Sequence, residues 1–332
     1  MPLQTRPRRR AASRLARALS LAALALAAGL VQAQAWPART VRTINTFAPG
    51  GPSDVLGRLI NERLTQKLGQ AFIIENRPGA GGNVGVDAAA KAAPDGYTFA
   101  WVVDFTLTFN PALYAKPPFD VEKDIQPVAT FASGEIALVV HPSVPVKTMA
   151  ELVALAKTQP VAFASGGIGS PGHIFGELFK GEFKLDQMTH VPYKGNAPAS
   201  QSILAGETQA FFGALPGTIA NIRAGKLRPL ATFSRERIAA LPDIPTAREQ
   251  GFPKFEVKNW FGIVAPAGTP KEIVERMHRE IAAITKERDF VERIDKLGYA
   301  PFASGPEEMR ALIRSDGARW GALIKSANIR AE

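Results

Sequence analysis

The stretch SGGIGSPGH, residues 165–173, gathers the residue types that hold an anion without a charged side chain. It follows a short β-branched and aromatic run, 161–164, and enters a helical run, 174–184. A strand that passes through a glycine turn into a helix leaves backbone N–H groups facing open space. Glycine lets a ligand reach the main chain because no Cβ stands in the way. Ser170 is a natural N-cap and Pro171 a natural first helical residue, which puts His173 at the third helical position. Taken alone, the stretch is either an anion-binding helix start or an ordinary tight turn.

Other helix starts bear on that choice. Thr148 with Glu151, Thr269 with Glu272 and Ser304 with Glu307 have the spacing of capping boxes, in which a glutamate of the chain fills the N-terminal amides. Ser53, Ser170 and Asn196 read as caps of helices with Leu56, His173 and Ala199 at the third position instead. Each follows glycine: Gly50 and Gly51, the run Gly166, Gly167 and Gly169, and Gly195. Those three starts are expected to keep free amides for an external anion. Asp54 complicates the first, because it can oppose the dipole itself or brace the loop by accepting backbone bonds.

Competing chemistries fare worse. Gly167, Gly169 and Gly172 match G-x-G-x-x-G, and Asp186 follows in the acidic position of a dinucleotide fingerprint. That acid should end the next strand, whereas Asp186 precedes the expected strand 188–191, and Pro171-Gly172 opens a helix poorly for close packing. A secreted nicotinamide-dependent oxidoreductase therefore stands only as a distant alternative. No G-x-S-x-G occurs, and the four histidines, His141, His173, His190 and His278, lack metal-ligand spacing. His141, His190 and His278 read as surface or capping residues. Ser170 and His173 have no third residue to orient them as a nucleophile and base. No catalytic residue, metal or cofactor is expected.

The elements that position the stretch repeat one theme. Strand 41–47, helix 54–68, strand 71–75, helix 83–93 and strand 97–103 open the chain as β-α-β-α-β, the pattern of a parallel sheet covered by helices. An irregular segment, 104–119, follows, then a strong strand at 135–141. Strands at 161–164, 188–191, 208–212 and 228–232 alternate with helices at 171–183, 197–205 and 215–224 in a second βα unit. A long strand, 256–265, leads to three helices, 270–286, 288–297 and 306–327. In the first, Ile273, Val274, Met277, Ile281 and Ile284 make a core-facing stripe.

The 35 N-terminal residues lie outside this fold. Six arginines precede an apolar run at 19–31 that is short for a membrane span, and Ala33-Gln34-Ala35 fits a cleavage site. This is the pattern of a cleavable secretory signal, with a membrane anchor as the less favoured reading. The chain carries 40 Lys and Arg against 30 Asp and Glu. All six signal charges are basic, so 34 face 30 once it is removed, and the high pI mostly reports export. No basic run with interleaved aromatics remains to bind nucleic acid. Absence of cysteine excludes disulfides, thiolate metal sites and a lipid anchor on a terminal cysteine. A protein released into the periplasm and acting as a monomer is the expectation.

FAPGGPSD (47–54), NRPGAGGNVG (76–85), DGYT (95–98), SGGIGSPGH (165–173), VPYKGNAPA (191–199), AGKLRPLA (224–231), LPDIPT (241–246) and APAGTP (265–270) together resemble the substrate-binding proteins of tripartite tricarboxylate transporters, the TctC-like or Bug receptors. The resemblance runs in order through 36–332. It implies a type II periplasmic-binding-protein fold with two α/β domains, 36–137 plus 263–332 and 138–262, joined by two crossing strands at 135–141 and 257–265. It further implies a non-enzymatic receptor that closes a cleft on a small organic carboxylate and delivers it to integral-membrane transporter subunits. A ligand sensor feeding a signalling system would use the same binding physics.

By the same resemblance, Phe47, Pro49, Gly50, Gly51, Pro52, Ser53 and Asp54 form one jaw of the ligand site. Ser165, Gly166, Gly167, Gly169, Ser170 and His173 form the other, and Tyr193 and Asn196 line the wall. Three positions depart from the family pattern. Phe47 stands where tyrosine is also common, Asn196 where glycine is frequent, and Gly213 where Asp or Asn is often found. Gly213 is expected to leave room for a larger or less polar ligand group and to argue against an amino acid.

Overall fold

The computed structural model describes residues 36–238 and 240–331. The proposed signal sequence, 1–35, lies outside the described residues. Residues 36–39 carry no helix or strand, and the fold proper is a compact unit from Thr40 onward.

The opening alternation of apolar strands and one-faced helices yields β1 (Val41–Asn45), α1 (Pro52–Leu68), β2 (Phe72–Asn76), α2 (Asn83–Ala90) and β3 (Thr98–Val103). β1 pairs in parallel with β2 and β3. The α1 stripe Leu56, Ile60 and Leu64 is fully buried, as its spacing dictates. Short helices α3 (Asp104–Thr108) and α4 (Asn110–Leu113) occupy the segment read as irregular, and β4 (Ile125–Gly134) follows.

The second unit comprises β5 (Ile136–Val140), α5 (Met149–Ala156), β6 (Val161–Ser165), α6 (Pro171–Phe183), β7 (Met188–Pro192), α7 (Asn196–Leu204), β8 (Ala210–Ala214), α8 (Ile219–Arg223) and β9 (Arg228–Thr232). The chain returns through β10 (Asn259–Pro266), α9 (Lys271–Ile284), α10 (Arg288–Lys296), β11 (Tyr299–Ser304) and α11 (Pro306–Ser326). One sheet is ordered β11-β4-β10-β3-β1-β2 and the other β7-β6-β8-β5-β9. Each has its own core. Ile44, Ala100, Val102, Trp260 and Met309 centre the first, and Val139, Ala164, Ile203, Phe211 and Leu227 the second.

The link between the sheets differs from the expected pair of crossing strands. Residues 136–140 belong wholly to the second sheet, and β10 lies between β3 and β4, the latter a strand the sequence does not announce. Pro127, Ala129, Ser133 and Gly134 give β4 little strand propensity of its own. It forms because β10 and β11 flank it antiparallel and bury nearly its whole length. Gly134 pairs with Asn259, and only Glu135 separates β4 from β5, so the two passages between sheets run side by side.

The capping boxes were also only partly realised. Thr148 accepts the Glu151 amide at 3.1 Å, and Glu151 in turn accepts the Lys147 amide at 2.6 Å. Thr269 instead donates to the Pro266 carbonyl, and Pro270 caps α9. Ser304 bonds Thr130 across the sheet, and Gly305 caps α11. Thr246 and Glu249 form a further reciprocal box, with bonds of 3.1 and 2.7 Å.

Candidate functional site

The 165–173 turn joins β6 to α6. Ser165, fully buried, accepts the Gly167 amide on Oγ at 3.1 Å, and that Oγ lies 2.7 Å from His190 Nε2. Gly167 and Gly169 have φ of 121° and 79°, values that favour glycine. Ser170 caps α6 and accepts the His173 amide at 3.4 Å, as expected. The Gly169 amide donates to His173 Nδ1 at 3.2 Å, and the Ser170 amide donates to the Gly167 carbonyl at 3.1 Å. The amides of Gly166, Ile168 and Gly172 are left without a partner among the described residues.

Gly172 corrects one expectation. A Cβ there would stand 2.0 Å from the Phe212 carbonyl oxygen of β8. The glycine therefore permits the close helix–sheet packing that Pro171-Gly172 was thought to oppose.

The 193–196 segment lies directly on this turn. Tyr193 and Gly195 amides donate to the Ser165 and Gly166 carbonyls, each at 3.1 Å. A Cβ on Gly166 would come within 2.9 Å of Asn196 Oδ1, and one on Gly167 within 2.9 Å of the Tyr193 carbonyl. Gly195, not Asn196, caps α7. The Tyr193 hydroxyl donates to Ser202 Oγ at 2.6 Å and so is turned into α7.

Gly213 opens no room. The position its Cβ would take is 1.9 Å from the ring of Phe211, which is buried in the core of the second sheet.

On the first sheet, the 47–54 turn joins β1 to α1. Its cap is Gly51, two residues earlier than the expected Ser53, which makes Asp54 the third helical residue. Asp54 is 3% exposed and accepts the Gly50 amide, the Arg58 Nε and the Asn76 Nδ2, each at 2.9 Å. Burial raises its pKa, but the bonds from Arg58, Gly50 and Asn76 outweigh burial and hold the carboxyl below its ordinary value. Asp54 thus braces the loop. Phe47 fixes it from the other end, its carbonyl accepting from Asn45 Nδ2 at 2.8 Å. The tip, Pro49 and Gly50, is exposed, Pro52 is the first helical residue, and Ser53 Oγ is buried without a hydrogen-bond partner.

Asp54→Asn is expected to lower stability by about 1–2 kcal/mol at neutral pH, through loss of the charge-assisted bonds to Arg58. The pKa is depressed in the fold, so this contribution is full above the ordinary carboxylate range and fades as pH falls through the folded value. Urea unfolding at several pH values should show the wild-type and variant curves converging in acid.

The two jaws meet through residues outside the site expected from the sequence. A Cβ on Gly82 would touch the Phe47 ring at 3.2 Å and Thr106 Oγ1 at 2.6 Å. One on Gly81 would touch Asn110 at 3.1 Å and the Tyr114 hydroxyl at 3.2 Å, and one on Gly169 would reach Leu113 at 3.0 Å and Tyr114 at 3.6 Å. Phe47, Gly81, Gly82, Tyr114 and Gly169 therefore form a continuous seam from one sheet's loops to the other's. The glycine run 79–82 was visible in the sequence, but nothing marked Tyr114, which enters only because α4 ends there.

Side-chain donors of His173, Glu177 and His190 come within 4.8 Å of one another. Their geometry does not suit a metal. The imidazoles are stacked at 4.4 Å with planes 23° apart, so their in-plane lone pairs lie in separate, nearly parallel planes and meet poorly at one ion. The Gly169 amide also occupies His173 Nδ1, which leaves the ring proton on Nε2.

The family model described as "Tripartite tricarboxylate transporter family receptor" matches residues 56–329. Protein BugT of Bordetella pertussis is 34% identical over 298 residues, covering 89% of this chain and 91% of that protein. Among solved structures, R. palustris Rpa4515 with adipate superposes with a TM-score of 0.82 at 34% identity, covering 89% of this chain and 99% of that one. MatC of Rhodopseudomonas palustris with bound malate gives 0.80 at 31% identity, covering 87% and 100%. The sulphonate-binding protein SsuA of Escherichia coli, at 14% identity and 0.50, shares the periplasmic-binding-protein fold alone. Among the described residues no helix is long and apolar enough to cross a membrane. With two βα sheets joined by adjacent passages and glycine-turn helix starts meeting at one seam, the chain belongs to the tripartite tricarboxylate transporter receptor family.

Proposed function

We propose that this protein is a periplasmic receptor that binds a small organic carboxylate between its two lobes and passes it to the membrane subunits of a tripartite tricarboxylate-type transporter. The observation that carries this reading is the set of unclaimed amides, Gly166, Ile168 and Gly172, leading into the 13-residue helix α6, beside the seam with Leu113 and Tyr114. The amides of Ser53 and Asp54 at the start of α1, next to the unpartnered Ser53 Oγ, supply the matching donors on the other lobe. Relatives with adipate and malate bound support a carboxylate as the ligand class. Domains 36–137 plus 263–332 and 138–262 would close about the passages at Glu135 and Lys258. A ligand held by both lobes favours the closed form by its extra contacts there.

Thermal-shift titration with adipate, malate, matched monocarboxylates, amino acids and NAD tests the class, and mass spectrometry of small molecules released from the purified protein tests the identity. Ser170→Glu places a carboxylate at the α6 amides. It is expected to abolish the shift produced by the bound carboxylate, while loss of the cap lowers intrinsic stability by only about 1 kcal/mol. Unchanged affinity in that variant would sink the clamp.

A further inference from the structure

His190 was expected to be a surface or capping residue, and nothing in the proposed clamp uses it. It is nevertheless wedged among the groups that shape the 165–173 turn. One face stacks on His173 at 4.4 Å and the other on Phe163 at 4.9 Å. Its Nε2 meets Ser165 Oγ at 2.7 Å, and that oxygen accepts the Gly167 amide at 3.1 Å. His173 holds the next glycine, its Nδ1 accepting the Gly169 amide at 3.2 Å. The two imidazoles thus grip the turn at Gly167 and at Gly169, the two positions with left-handed φ.

We propose that the stacked pair His173–His190 positions the ligand-binding turn, holding the Gly167 and Gly169 amides inward and leaving those of Gly166, Ile168 and Gly172 for the ligand. This rests on the carboxylate-clamp reading and deepens it: the pair does not touch ligand, and selects which amides do.

The chemistry requires a neutral His173. An acceptor lone pair on His173 Nδ1 exists only in the neutral Nε2–H form, because an imidazolium donates from both nitrogens. Burial supplies that condition, lowering both rings to about 4, with the His173 charge a further cause at His190. The groups around the pair do not reverse it. From α6, Glu177 faces the rings but is itself raised by burial and lies 3.8 Å from Lys180, whose charge also disfavours protonation of His190. β6 and β8 contribute no ionisable side chain, and α11 reaches α6 through Trp320 on Phe175, with Arg319 over the Trp320 ring. Gly176 completes the packing, since a Cβ there would stand 2.0 Å from the Phe163 ring that backs His190.

Two measurements test this. Nitrogen-15 NMR of labelled histidines should show His173 as the Nε2–H tautomer and both rings neutral down to about pH 5; a His173 Nδ1–H tautomer, or titration near the ordinary 6.5, overturns the proposal. Binding of adipate and malate should fall at least about tenfold in His173→Leu, which fills the site without an acceptor. His173→Asn, whose Oδ1 stands where Nδ1 stood, should recover most of that loss, and a mere packing role would not distinguish the two. His190→Phe keeps the stack but drops the Ser165 contact, so it should weaken binding while preserving the melting temperature. Equal affinity in His173→Leu and wild type overturns the proposal. If wild type binds neither probe, the carboxylate reading fails for these ligands by its own titration, and the tautomer measurement still decides the brace.

Discussion

Gly172→Ala is expected to lower the melting temperature by roughly 4–8 °C and to weaken carboxylate binding by about tenfold or more. The alanine Cβ would lie 2.0 Å from the carbonyl oxygen of Phe212 and 3.1 Å from its carbon. That obstacle is backbone in β8, an interior strand held by β6 on one side and β5 on the other, so it has no rotamer to change. Relief requires the first turn of α6 to move off the sheet by about 1 Å, at the upper end of the roughly 1–3 kcal/mol typical of overpacking. Alanine's helix propensity returns at most about 1 kcal/mol, so the clash wins. The same movement carries the Gly172 amide and the Ser170 cap away from the ligand, which is why affinity falls along with stability. Circular-dichroism melts and titration with adipate and malate would measure both. A variant that melts within about 1 °C of wild type would mean that α6 does not sit against β8 as described.

What could be read from the sequence follows what is local. Ser170, Pro171 and His173 are neighbours in the chain, and their cap geometry formed as their order dictated. The stripe of α1 and the β-α-β opening were likewise set by periodicity. The start of α1 was misplaced because Ser53 looks like a better cap than Gly51, yet Pro52 at the first position and Asp54 reaching back to Gly50 decided otherwise. Thr269 and Ser304 met partners that no spacing rule sees, a preceding carbonyl and a residue 174 positions away. β4 was missed for the same reason, since its flanking strands begin more than a hundred residues later. At the site, the jaws were legible as glycine turns, whereas the seam through Tyr114 and the His173–His190 stack depend on which loops the two sheets bring together.

Gly213→Asp should be among the most damaging single substitutions in the second sheet, costing about 4 kcal/mol or more. A glycine expected to leave room invites the substitution as harmless, and the packing says otherwise. The new Cβ would coincide with the Phe211 ring, 1.9 Å away, and Phe211 is packed with Ala164, Ile203 and Leu227. Displacing that ring empties part of the core and leaves a carboxylate against apolar neighbours, so the overpacking and desolvation costs add. Glycine at 213 and phenylalanine at 211 thus form one packing solution, in which the ring lies over the bare main chain. Phe211→Ala alone should cost about 3–5 kcal/mol through its cavity. In the double variant the aspartate gains the space the ring vacated. Its cost should fall at least about 1 kcal/mol short of the sum of the single costs. Urea unfolding of the four proteins closes the cycle, and strict additivity would mean that position 213 does not owe its glycine to Phe211.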